Sequence, residues 1–185
     1  LYSSAASDVY KRQIYKQKKK AMKRSISTCL CLMIFAFCGY AQQTLPSVDV
    51  KTLDGKTINT KDFNNDGKPF AICFWATWCK PCIMELNTIA ENYEQWQSET
   101  GMKIYAVSID DSRTSSKVLP LTNSSEWEFE VVLDLNSEFK RALGVNNPPH
   151  SFVVNGKGEI VWQHVGFTPG DEQHLIEEIQ KALKN

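Results

Sequence analysis

Cys79 and Cys82 are the residues whose type and spacing point most directly to chemistry. On a helix, a separation of three puts both sulfurs on one face, within reach of a disulfide. Such a pair gives up two electrons as a dithiol and takes up two as a disulfide. Just upstream, residues 69–75 (PFAICFW) form the continuous apolar run of a strand buried on both faces. Just downstream, Ile83, Leu86, Ile89, Ala90, Tyr93 and Trp96 recur at helical spacing, and Gly101 ends the pattern. Cys79 is therefore expected at a helix N-terminus. Unpaired N–H groups and the helix dipole favour a thiolate there, so its pKa should fall below that of an ordinary thiol. Lys80 adds a nearby cation, and Pro81 suits a first turn, where a missing N–H costs little. Cys82, one turn on, should be the more buried thiol and should resolve the mixed disulfide that Cys79 forms.

Other chemistries fit the pattern less well. A C-x-x-C pair can be half of a structural zinc site, but such a site takes four ligands. There is no second C-x-x-C here, and the histidines are His150, His164 and His174. No metal is expected, and no cofactor beyond a redox-active Cys79–Cys82 disulfide. The alternative function is a copper-binding module, or metallochaperone, using Cys79, Cys82 and His150. A peroxidase would want Thr or Ser three residues before its reactive cysteine in a proline-led motif. Ala76 stands there and the proline is missing.

The remaining elements must hold this pair in place. Residues 48–57 are strand-like, broken by the turn signal Asp54-Gly55. Residues 59–63 suggest a short capped turn, 64–68 a loop, and 102–109 (MKIYAVSI) a second buried strand. Asp110, Asp111 and Ser112 are placed to cap a helix that runs into Pro120. Residues 129–133 suggest a third strand, and 137–143 a short helix closed by Gly144. Residues 151–154 and 159–165 flank Asn155-Gly156-Lys157-Gly158 as a hairpin. A last helix is expected with Thr168 as N-cap, Pro169 at its first position, and a stripe of Leu175, Ile176, Ile179 and Leu183. Strands alternating with helices, then a hairpin and a helix, predict an α/β fold: a central mixed β-sheet flanked by helices on both faces.

Residues 74–82 (FWATWCKPC) resemble the active-site segment of the thioredoxin superfamily, and more closely its periplasmic TlpA/ResA-type branch. The similarity runs over residues 45–183 and includes Asp54-Gly55 and Pro148-Pro149. It implies a thioredoxin-like fold and a thiol–disulfide oxidoreductase of the cell envelope, a reductant of substrate protein disulfides such as those of apocytochromes in cytochrome c biogenesis. Its implied partners are a substrate protein with a disulfide or thiols and a membrane thiol-electron donor.

The resemblance also implies a cis proline facing the disulfide, and Pro149 matches it. The preceding residue would pair with substrate backbone like a strand. Here that residue is Pro148, which lacks an N–H, so only its carbonyl can serve. Glu85 falls where the branch carries an acid that raises a cysteine pKa or shuttles a proton. The competing reading makes it a first-turn glutamate favouring the dipole. Asn87 stands where relatives carry a helix-kinking proline. Cys73 stands where thioredoxins bury an aspartate. It reads as a small apolar core residue, with a third redox thiol as the alternative. His150 follows the proline and is expected with Pro148 at the substrate-binding edge; it reads as a rim residue near the pair, with tuning of Cys79 as the alternative, and Trp78 and Phe74 are expected to pack around the motif.

Charge divides the chain of 185 residues, whose formal net charge is zero. Residues 1–41 hold eight Lys or Arg against the single acid Asp8, a balance of +7. Residues 42–185 hold 13 Lys or Arg against 20 Asp or Glu, a balance of −7. The acidic part offers no basic stripe for phosphates, so no nucleic acid is expected as a partner. Residues 1–21 are polar and lysine-rich and read as a non-native or disordered leader. Residues 22–41 run basic, apolar, then Gly39-Tyr40-Ala41: a signal peptide for export to the periplasm, cleaved after Ala41. The alternative is an uncleaved membrane anchor. The thioredoxin-like domain is expected over residues 44–185.

Overall fold

A computed structural model describes residues 43–184, so both leader segments expected at 1–41 lie outside the described residues. The organising element is β3 (Phe70–Trp75), every residue of which is buried. It pairs in parallel with β4 (Lys103–Ser108), which pairs in parallel with β5 (Glu130–Leu133). On its other side β3 pairs antiparallel with β6 (His150–Val154), and β6 with β7 (Ile160–Val165). Two further strands, β1 (Asp49–Thr52) and β2 (Thr57–Asn59), complete a seven-stranded mixed sheet in the order β2-β1-β5-β4-β3-β6-β7. The strand-like stretch at 48–57 is thus a hairpin, folded back at the Asp54-Gly55 turn.

Among the described residues four α-helices accompany the sheet: α1 (Lys80–Thr100), α2 (Val118–Ser124), α3 (Glu138–Ala142) and α4 (Glu172–Ala182). Side chains alternate across a strand, so each face of β3 meets its own layer. Phe70, Ile72 and Phe74 share a face with Phe152 and His150. Phe74 packs 5.3 Å from Phe139 of α3 and 5.9 Å from Phe152, centroid to centroid. Phe63 stacks on Tyr105 at 4.1 Å in the same layer. On the opposite face Cys73 lies across from Ser151, beneath α1 and α4. Leu86 and Ile89 of α1 and Leu175, Ile176 and Ile179 of α4 are buried there.

Long helix α1 ends where the periodicity predicts. Gly101 takes the left-handed conformation at φ 65°, and its N–H closes on the Gln97 carbonyl at 2.7 Å. Four local expectations are corrected. Pro120 lies in the first turn of α2, where it needs no hydrogen bond, so the helix passes through it rather than stopping at it. The last helix begins later than Thr168. Asp171 is its N-cap residue, and the Asp171 carboxylate reaches back to the Thr168 N–H at 2.7 Å to hold the preceding turn. Leu183 is 41% exposed, one step past the buried stripe. Asp110 does not cap a helix but serves the site described next.

Candidate active site

The site sits beyond the C-terminal end of β3, where the chain turns into α1. The end of β4 holds that turn. The Ile109 N–H bonds the Trp75 carbonyl at 2.9 Å. Asp110 is fully buried and grips Thr77 twice, accepting from its N–H at 2.8 Å and from its hydroxyl at 2.7 Å. The Ser108 hydroxyl donates to the same carboxylate at 2.9 Å. The Cys79 N–H then closes on the Ala76 carbonyl at 3.0 Å. A buried acid just past the end of the neighbouring strand therefore fixes Thr77, two residues ahead of Cys79.

Cys79 is the N-cap of α1, with extended backbone, and its sulfur accepts the Cys82 N–H at 3.3 Å. That contact meets one of the orphan donors of a helix start with sulfur, and it favours negative charge on that sulfur. Cys79 and Cys82 form a disulfide with Cα atoms 5.3 Å apart. Cys79 is 5% exposed and Cys82 fully buried, in the order expected. Lys80 and Pro81 occupy the exposed first turn. Trp78 does not pack around the motif: it is 59% exposed, standing out beside Cys79. Phe74 is wholly buried, its ring against Phe139 and Phe152 on the face of β3 opposite α1.

Glu85 is not a first-turn dipole residue. It lies one helical turn beyond Cys82, on the inward face, 5% exposed. The Ser151 hydroxyl donates to its Oε1 at 2.7 Å, while its Oε2 is buried with no hydrogen-bond partner. Burial lifts its carboxyl to about 7, the Ser151 hydrogen bond pulls it down, and the charge of Asp171 adds to the rise. A carboxyl of that acidity exchanges protons near neutral pH, the range in which a general acid or base works best. Cys73 is fully buried and free of disulfide. Burial, then the Glu85 charge, raise its thiol far above the ordinary value, so it stays protonated. That environment is the small, inert core residue rather than a reactive thiol.

The peptide bond between Pro148 and Pro149 is cis, placing Pro149 as the family pattern requires. Pro149 is buried and its carbonyl accepts the Gly166 N–H at 2.9 Å, while Pro148 is half-buried. His150 is not a rim residue. It is 6% exposed, stacks on Phe152 at 4.4 Å, and its Nε2 lies 3.2 Å from Gln163 Oε1. Burial lowers its pKa, so it stays neutral. It shares the aromatic face of β3, whereas Glu85 and Ser151 lie on the other. Among the described residues no group of three or more His, Cys, Asp or Glu converges as a metal site.

Sequence reasoning missed Ser151, Asp110 and Thr77. Ser151 had a readable signal, a hydroxyl inside an otherwise apolar strand. Asp110 had a misleading one, because an acid after a strand also reads as a helix cap.

Known proteins match over the same region. The model of the AhpC/TSA family matches residues 41–163. The thiol-disulfide oxidoreductase ResA of Bacillus thuringiensis subsp. konkukian is 33% identical over 139 residues, covering 75% of this chain and 74% of that one. The solution structure of an uncharacterized thioredoxin-like protein from Porphyromonas gingivalis superposes with a TM-score of 0.69 at 47% identity, over 76% of this chain and 92% of that one. A Chlorobium tepidum structure, assigned provisionally as thiol:disulfide interchange protein DsbE, superposes with a TM-score of 0.66 at 26% identity, over 77% and 96%.

Proposed function

We propose, because the chain belongs to the AhpC/TSA family and is a thiol–disulfide oxidoreductase, that it reduces protein disulfides through a dithiol cycle at Cys79 and Cys82. The observation that carries the reading is the placement of the pair. One sulfur caps α1 and keeps a sliver of exposure, and its partner, a turn on, is wholly buried on the helix face that carries the buried Glu85.

The cycle follows from that geometry. The Cys79 thiolate attacks one sulfur of a substrate disulfide, and the other sulfur leaves as a thiolate. Cys82 gives its proton to Glu85, attacks the Cys79 sulfur, and the mixed disulfide breaks. The second substrate sulfur leaves as a thiolate and takes a proton. Two electrons pass to the substrate, and the enzyme is left as the disulfide seen here. Pro148 offers an incoming peptide a carbonyl but no N–H, so docking rests on one backbone bond where relatives make two. Exposed Trp78 flanks the same entrance.

The wider setting is part of the proposal. The basic, apolar, small-residue layout of residues 22–41 supports export to the envelope, either cleaved after Ala41 or held as an anchor. In that compartment a membrane dithiol donor would regenerate the reduced pair. Apocytochrome disulfides are the substrate class we favour.

An insulin-type disulfide reduction assay tests the reading. Cys79→Ser should abolish turnover, and Cys82→Ser should accumulate a mixed disulfide visible by mass spectrometry. Full turnover in Cys79→Ser would sink it. A reduction potential far above that of thioredoxin would turn the assignment from reductant to oxidant.

A further inference from the structure

Glu85 does not stand alone in the core. Its Oε1 accepts from Ser151, its Oε2 has no hydrogen-bond partner, and Cys73 lies across from Ser151 in the sheet. All three residues are at most 5% exposed. They come from three elements: Cys73 from β3, Ser151 from β6, directly opposite it in register, and Glu85 from α1 above both.

We propose that Ser151 is a positioning residue. Its hydroxyl pins Glu85 Oε1 and leaves Oε2 as the oxygen that takes the Cys82 proton and passes it on. The inference rests on the reading of Glu85 as the proton acceptor of the resolving step.

The proton inventory fixes the roles of the two carboxyl oxygens. A serine hydroxyl has one hydrogen to donate. At Ser151 it goes to Glu85 Oε1. An Oε1 that already accepts a hydrogen is the poorer seat for a proton, so the proton resides on Oε2. In the resolving step the Cys82 S–H gives its proton to Oε2, and the Cys82 sulfur bonds to the Cys79 sulfur. The bond from Cys79 to substrate sulfur breaks, and the Oε2 proton goes to the departing thiolate. No further reactant is consumed.

The same hydroxyl tunes the acid. Burial and the Asp171 charge push the Glu85 carboxyl up, and the Ser151 bond opposes them by favouring the charged form. The groups facing Glu85 are Cys82 on its own helix, Cys73 on β3, Ser151 on β6, and Asp171 ahead of α4. Asp171 in turn lies 3.4 Å from His164 on β7.

The experiment is a pH profile of disulfide exchange for wild type, Ser151→Ala, Ser151→Thr and Glu85→Gln. A difference-infrared titration of the buried carboxylic acid in the oxidised proteins accompanies it, because that readout needs no turnover. In Ser151→Ala the inflection due to Glu85 should rise by about one pH unit, the worth of one lost hydrogen bond to a carboxylate. Ser151→Thr, which keeps the hydroxyl, should return it. An unmoved inflection in Ser151→Ala, with the inflection gone in Glu85→Gln, overturns the role of Ser151 and leaves the proton acceptor standing. An inflection that persists in Glu85→Gln overturns both. Should Ser151→Ala not fold, Ser151→Cys carries the test: a thiol is a weaker donor than a hydroxyl, and the inflection should rise by a smaller step. No movement there overturns the proposal.

Discussion

The two faces of β3 have different chemistry although one strand makes both. Toward α3 it presents Phe70, Ile72 and Phe74, which close with Phe63, Tyr105, Phe139 and Phe152 into a layer of ring contacts. At its margin burial holds the His150 pKa below the ordinary histidine value. Toward α1 it presents Cys73, and above that a serine, a carboxyl and a disulfide sulfur lie within the core. The dry face makes the strand hard to move. The wet face uses that immobility to keep an acid away from water, and so near neutral acidity. A carboxyl at the surface would ionise well below neutral pH and could not act as a proton store at physiological pH.

Substitutions should separate the two faces. The largest effect is expected from the dry one. Phe74→Ala empties the centre of the ring layer and should cost about 3–5 kcal/mol of unfolding free energy, measured by denaturant titration. The fraction that stays folded should keep the wild-type pH profile of exchange; a displaced profile would show that the faces are not independent.

Glu85→Gln probes the wet face and should do the reverse. The Glu85 carboxyl lies at about 7 in the folded protein against an ordinary 4.5. The native state therefore binds more protons than the unfolded chain between those values, and stability falls as pH rises through that window. The full span corresponds to about 3 kcal/mol. In the disulfide form, where neither Cys79 nor Cys82 titrates, wild type should lose stability from pH 5 to 8 on the order of that amount. Glu85→Gln should lose little, matching wild type in acid and exceeding it above neutrality. Equal slopes in both would erase the contrast between the faces.

Asp110→Asn tests the anchor of the Thr77 turn rather than either face. It weakens two bonds to Thr77 and one to Ser108, and should cost about 2 kcal/mol. It should also slow exchange by loosening the approach to Cys79, while the inflection assigned to Glu85 stays where it is. The smallest change is expected for Cys73→Ala, about 1 kcal/mol for one buried sulfur. Its turnover and disulfide pattern should match wild type; a lost disulfide species would make Cys73 a redox thiol after all.

Much of this architecture was legible in the residues. The apolar run at 69–75 announced the central strand, helical spacing announced α1, and Gly101 its end, because each follows from a local period or a backbone preference. The Cys79–Cys82 pair and the place of Pro149 were legible as well. What escaped depended on contacts between distant segments. Whether Glu85 faced water or core was undecidable from its spacing, since the answer required Ser151, 66 positions away, to arrive opposite Cys73. Trp78 misled for a related reason. An aromatic beside a motif reads as packing, but here the neighbouring turn is held by Asp110, which leaves the indole outside. His150 gave the opposite error, because a polar ring after a loop reads as rim until a strand partner covers it.

The burial of Cys73 gives the molecule an internal clock. Its sulfur sits in an interior strand of the sheet, paired on both edges, with no exposed surface. An alkylating reagent can reach it only when the sheet opens, so its labelling rate, read on the peptide that contains it, reports how often that happens. With exchange of solvent into the core this rare, each labelled molecule records one excursion from the native state, counted without denaturant and without disturbing the disulfide.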